Sequence, residues 1–183
     1  MALAFLGTAV IPLEAQNVSI TRIGEAVAVR APGLGLIKGE TLAQLKDGRS
    51  VRVDLDLAVL PGPGGAAAAR SRQAFVLSYD LWEERFAVTM AGPPPRSVSY
   101  LTANAAEAWC LEHVTIPLIA LGKLRDAPFW IRLEYRFLDG DTAAARDDDA
   151  GITLKGLIEA LSRRPKESGL PHAVEAGPFR LRP

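Results

Sequence analysis

Cys110 and His113 stand three residues apart in WCLEH, a spacing that lets two side chains meet on one face of a helix. A thiol beside an imidazole is the pairing from which a thiolate nucleophile is made. The simpler reading is a small buried core thiol next to a polar helix end. The second histidine, His172, sits in a tail punctuated by Gly and Pro, poor ground for a preorganised base. The run DGDTAAARDDDAG offers five carboxylates, Asp139, Asp141, Asp147, Asp148 and Asp149, of the hard-oxygen kind that calcium takes. Ala143 and Ala144, however, occupy the places where an EF-hand loop needs a further oxygen ligand and then glycine. A solvated linker explains the same acids with fewer demands. A metal-dependent hydrolase using the Asp139–Asp149 cluster stays as the enzymatic alternative.

Other chemistries find less support. GLGLIKG, Gly33–Gly39, lacks the third glycine of a dinucleotide fingerprint, and no glycine-rich loop ends in Gly-Lys-Ser/Thr; the glycines read as a bend between strands. Gly-x-Ser-x-Gly and His-Glu-x-x-His are both missing from the sequence. Asp54 and Asp56 are two apart, as a carboxylate pair on one strand face would be. Arg132, Glu134 and Arg136 supply opposite charge for cross-strand pairing, worth about 0.2–1 kcal/mol per pair, and the set reads as sheet surface. Glu83, Glu84 and Arg85, in SYDLWEERFAV, read as the corner of a hairpin with Trp82 shielding it. No catalytic residue, cofactor site or metal site is assigned. Trp82 and Trp130, exposed tryptophans beside charges, read as an interaction surface.

These residues need a scaffold, and composition bounds it. The chain has 183 residues, 49% of them hydrophobic, enough for one domain with a real core and no metal or disulfide staples. Lys plus Arg and Asp plus Glu are 21 each, so no basic excess invites nucleic acid. The single cysteine excludes an intramolecular disulfide and a multi-cysteine metal site. Ala2–Ile11 is a weakly apolar run, too short to span a membrane. With Pro12 and Leu13-Glu14-Ala15-Gln16 behind it, it resembles the apolar region and cleavage end of a secretory signal, although no basic residue precedes it. The expectation is a signal remnant over 1–15, a mature chain starting near Gln16, and a periplasmic or envelope-associated location. A cytoplasmic protein is expected if the run instead packs on the core.

From Asn17 onward, period-two alternation dominates the chain. Val18 and Ile20, then Val27 and Val29, suggest two short strands. In SVRVDLDLAVL, Val51, Val53, Leu55, Leu57 and Val59 share one face while Arg52, Asp54 and Asp56 share the other, the signature of a strand with one buried face. Phe75, Leu77, Tyr79 and Leu81 repeat it, then Phe86, Val88 and Met90, Ser97–Leu101, and Phe129, Ile131, Leu133, Tyr135 and Phe137. Glu40–Lys46 predicts a short helix stopped at Gly48. Asn104 and Glu107 form a capping-box pair that predicts a helix over Asn104–His113. Pro61–Arg70, PGPGGAAAAR, reads as a loop with no means of packing. Past Leu138 the composition predicts an acidic linker at 140–151. An amphipathic helix is expected over Ile152–Arg164, with Leu154, Leu157, Ile158 and Leu161 on one face, then a tail to Pro183. Many strands and no strand–helix alternation predict an antiparallel β-sandwich over 16–139, with two or three short helices and the C-terminal helix.

From about Leu42 to Leu138 the order of features resembles a bacterial family known only as domain of unknown function 4390. LAQLKDGRSVRVDL, SYDLWEERFAV, the helix before a proline and WIRLEYRF carry the resemblance. It implies a small exported protein of unassigned activity and no catalytic residue. The expected function is a non-enzymatic, envelope-associated interaction module. Its surface would comprise Trp82, Trp130, Leu154, Leu157, Ile158 and Leu161, and its partner would be an envelope protein or surface. A β protein holding an apolar ligand is the third possibility.

Overall fold

The computed structural model describes residues 18–139 and 167–181. The expected signal remnant, the acidic run beyond Asp139 and the Ile152–Arg164 helix lie outside the described residues. The rest is mainly β, in two antiparallel sheets with strand orders β1-β2-β7 and β6-β5-β4-β3-β8-β9.

The longest alternation becomes the centre of the larger sheet. On β3 (Val51–Leu60) the residues Val51, Val53, Leu55, Leu57 and Val59 are all at most 2% exposed. β4 (Ala69–Asp80) flanks β3 with Val53 opposite Phe75. β8 (Phe129–Asp139) flanks it on the other side with Leu55 opposite Tyr135. β5 (Arg85–Met90) and β6 (Arg96–Leu101) extend the sheet beyond β4. Tyr79 and Phe137, expected in the core, lie half-buried near its margin.

Two regions read as irregular are ordered by long-range pairing. The residues after Lys166, expected as a tail, form β9 (Glu167–Phe179), the edge strand next to β8. Pro171 and Pro178 fall where the β8–β9 register shifts, which is where an edge strand can omit a backbone donor. The Pro61–Arg70 loop is shorter than expected, because β4 already begins at Ala69, and Gly64 N–H donates to Glu175 Oε1 at 2.7 Å.

The smaller sheet joins β1 (Ser19–Ile23), β2 (Ala26–Arg30) and the three-residue β7 (Thr115–Pro117). Val27, Ala28 and Val29 are each 1% exposed, so β2 is covered on both faces. A 3-10 segment, Leu118–Arg125, kinks at Gly122 (φ 52°).

α1 (Gly39–Lys46) ends before Gly48, whose φ of 79° is the left-handed conformation that stops a helix. α2 (Ala103–Glu112) corrects the capping-box expectation. Its N-cap is Thr102, whose Oγ1 accepts from Ala105 N–H at 3.3 Å, and Glu107 does not cap it. Buried side chains from both sheets, α1 and α2 form one hydrophobic cluster.

Candidate functional site

The hairpin corner is where the sequence placed it, but it is not what was expected of it. Asp80 Oδ1 accepts from Trp82 N–H at 2.9 Å and from Glu83 N–H at 3.1 Å. That is the Asx device by which a short acidic side chain mimics a backbone turn. Glu84 closes the corner at φ 53°, and Arg85 then opens β5 opposite Asp80. Trp82 shields nothing: it is 96% exposed, and Leu81 is 57% exposed.

A second exposed aromatic stands on the neighbouring strand pair. Phe86 pairs with Leu101 and Val88 with Val98, so Ser99 and Tyr100 together oppose Ala87 alone. This bulge turns Tyr100 outward, at φ 62° and 71% exposed, as bulges do when they re-aim a side chain. Between corner and bulge lies a depression of about 300 Å³ lined by Ser78, Asp80, Arg85 and Tyr100, among others. Among the described residues, Glu84 and Tyr100 are the two non-glycine residues with positive φ, a conformation that tends to collect at functional sites.

The sequence reading missed Tyr100, and the signal was a conflict within SVSYL. Alternation can bury Val98 with Tyr100, or Leu101 with Ser99, but not Val98 with Leu101. The bulge lets Val98 and Leu101 both pack on the core and leaves Ser99 and Tyr100, between them, exposed.

Trp130 does not join this surface. Trp82 lies beyond the end of β3 marked by Val51, whereas Trp130 pairs with Leu60 at the opposite end. That separates them by more than roughly 30 Å along the sheet at ~3.3 Å per residue. Trp130 is also half-buried, not exposed. The backbone of β9 crosses it so closely that a Cβ on Gly177 would lie 2.6 Å from its Cδ1. It is a packing residue. Leu154, Leu157, Ile158 and Leu161 lie outside the described residues.

The Gly33–Gly39 loop does more than bend. Gly33 and Gly35 adopt φ of 83° and 80°, turning backbone N–H groups into an anion-binding concavity. The anion is the chain's own: Glu107 accepts from Ile37 N–H at 3.0 Å and from Gly35 N–H at 3.2 Å, at 6% exposure.

The Cys110–His113 pair is not assembled for nucleophilic chemistry. Cys110 is fully buried, and desolvation, then the nearby Glu107 charge, push its thiol up to about 12, the inert end of cysteine behaviour. His113 instead packs against Trp109, the rings tilted by 30° with centroids 3.9 Å apart, and its Nδ1 lies 2.8 Å from Trp109 O. His172 stacks on Tyr135 at 4.9 Å.

The wet face of the large sheet is an ion network. Asp54 opposes Arg136, but Asp56 opposes Glu134, a like-charged pair. Arg70 and Arg72 resolve it: Arg72 hydrogen-bonds Asp56 Oδ2, and Arg70 Nε lies 3.1 Å from Oδ1, off the angle a hydrogen bond needs. Asp56 correspondingly holds the Arg72 guanidinium above its usual pKa, through the hydrogen bond first and charge second. Among the described residues no three His, Cys, Asp or Glu side chains are grouped to hold a metal. No helix among them is long and apolar enough to cross a membrane.

No family model, no curated protein and no solved structure matches the chain.

Proposed function

We propose that the protein is a non-enzymatic interaction module, a β-sandwich of the cell envelope that engages a protein partner through the Leu81–Trp82 corner and Tyr100. The observation that carries this reading is Trp82 at 96% exposure on a turn fixed by two hydrogen bonds to Asp80. An indole left in water forgoes its hydrophobic burial, and Trp and Tyr are the residues that most often dominate binding energy. A turn already held in place loses little further entropy on binding. The sandwich reading is supported by the single core shared by the two sheets. The envelope assignment is supported by the signal-like run Ala2–Gln16 and the resemblance to the exported family.

The test compares wild-type protein with Trp82→Ala and Tyr100→Ala in affinity capture from native envelopes. A specific protein lost from both variants, at unchanged melting temperature, supports the reading. Identical captured sets from all three overturn it.

A further inference from the structure

The turn between β1 and β2 meets the start of the 3-10 segment at one end of the smaller sheet. Ile23 pairs with Ala26, Ala26 pairs with Pro117, and Leu118 N–H donates to Glu25 O at 2.8 Å. Leu118 and Leu121, three apart, turn inward and are buried, because side chains at that spacing eclipse in a 3-10 turn. Ile119 between them is left projecting at 91% exposure, and Ile23 on the adjoining turn is 45% exposed. Pro117, Ala120 and Gly122 are exposed as well. From Arg22 to Glu25 and from Pro117 to Arg125 there is no uncharged polar side chain; the tip presents carbon and charge.

The charges favour the positive sign. Glu25 is matched by Arg22 at 2.9 Å. Lys123 and Arg125 follow close behind Ile119, both exposed, and neither forms a salt bridge among the described residues. They outnumber the acid beside them, Asp126. The Trp82 corner has the opposite balance, with Asp80, Glu83 and Glu84 against Arg85.

We infer that Ile119, with Ile23 beside it, inserts into the headgroup region of an anionic lipid bilayer, with Lys123 and Arg125 held at the charged surface. A projecting aliphatic side chain is buried by a fluid medium that closes round it, and no matching pocket is needed. Lys and Arg stems lie along apolar groups while their charged heads stay at the lipid phosphates. The same negative surface repels the acids of the Trp82 corner, so a bilayer selects this end of the molecule and not the larger aromatic. One aliphatic knob with two cations gives reversible attachment, as a single weak anchor does.

Co-sedimentation of the full-length protein with mixed phosphatidylcholine–phosphatidylglycerol vesicles, and with pure phosphatidylcholine vesicles, tests this. The expected result is saturable binding to the anionic vesicles that weakens as salt is raised. Ile119→Ser should lower the partition coefficient about tenfold or more, as loss of a buried aliphatic chain does. Lys123→Gln and Arg125→Gln should each lower it about fivefold. Ile119→Trp should keep the binding and add a blue shift in emission on vesicle addition, which a merely structural role would not produce. These positions are exposed, so melting temperatures should match wild type, and Ile23→Ser serves if Ile119→Ser unfolds. Trp82→Ala should bind vesicles like wild type; because that corner is tested by protein capture, the two surfaces can fail separately. Loss of vesicle binding in Trp82→Ala would move the bilayer contact to the corner and overturn the inference. Equal binding to pure phosphatidylcholine would overturn the anionic assignment. Equal binding of Ile119→Ser and wild type would overturn the site, including where attachment runs through the N-terminal residues instead. No vesicle binding by the full chain would overturn it too, and an envelope protein captured by wild type but not by Ile119→Ser would then make the tip a protein contact.

Discussion

Glu107 Oε1 accepts a hydrogen bond from Ile37 N–H at 3.0 Å across 70 residues of chain, and Oε2 takes Gly35 N–H beside it. One carboxylate thereby ties α2 to the glycine loop that precedes α1. Buried amides left without an acceptor cost roughly 1–3 kcal/mol each. Glu107→Ala should therefore destabilise the protein strongly in denaturant melts, and Gly35 and Ile37 should lose hydrogen-exchange protection before the β3 amides. Asn104→Ala should be nearly silent, while Thr102→Ala should cost about 1 kcal/mol, as N-cap loss does. The reverse ranking of the last two would restore the capping-box reading.

Leu55 and Leu133 are 1% and 2% exposed on neighbouring strands. Truncation of either to Ala should cost about 2–5 kcal/mol, the transfer term plus the cavity left behind. Unchanged melting in both variants would mean the buried face had been misassigned.

Cys110 makes an alkaline prediction with a definite sign. Its thiol ionises at 9.0 when free and at about 12 in the fold. Between these pH values the folded state keeps a proton that the unfolded state has released, so stability falls as pH rises. Burial raises the Tyr135 hydroxyl in the same direction, and Glu107 adds to it. Cys110→Ala should flatten the loss above pH 9 without removing Tyr135's share. Native protein should resist iodoacetamide near neutral pH, and rapid alkylation there would contradict the buried, protonated thiol.

Gly177 is a steric prediction. A Cβ there would sit 2.6 Å from Trp130 Cδ1 and 3.1 Å from Phe129 O, at a φ of 154°. Gly177→Ala should lift β9 from Trp130, red-shift Trp130 emission and cost about 1–3 kcal/mol, as overpacking does. Trp82 is already fully hydrated and contributes a constant background, so a Trp82→Phe background isolates the change from that source.

The sequence by itself determined the strands that carry a buried face. In β3 and β8 alternation is a direct imprint of one dry and one wet side, because successive side chains point to opposite faces. The corner was legible for the same reason, since two alternating runs bracket it, although Arg85, read into the corner, opens β5 and Leu81, read into the strand, belongs to the turn. What only the tertiary structure decided are the features set by partners distant in the chain. β9 exists because β8 offers it an edge, and its prolines hid it from local reading. The 3-residue β7 is too short to carry a period. Glu107 looked like a cap because Asn104 lies three residues before it, and its true partners lie 70 and 72 residues away. Trp130 looked exposed until Gly177 crossed it. Tyr100 reached solvent only because a bulge resolved the competition between Val98 and Leu101 for the core. Local spacing encodes which face a residue presents, whereas what covers that face depends on chain closure, and closure is a property of the whole fold.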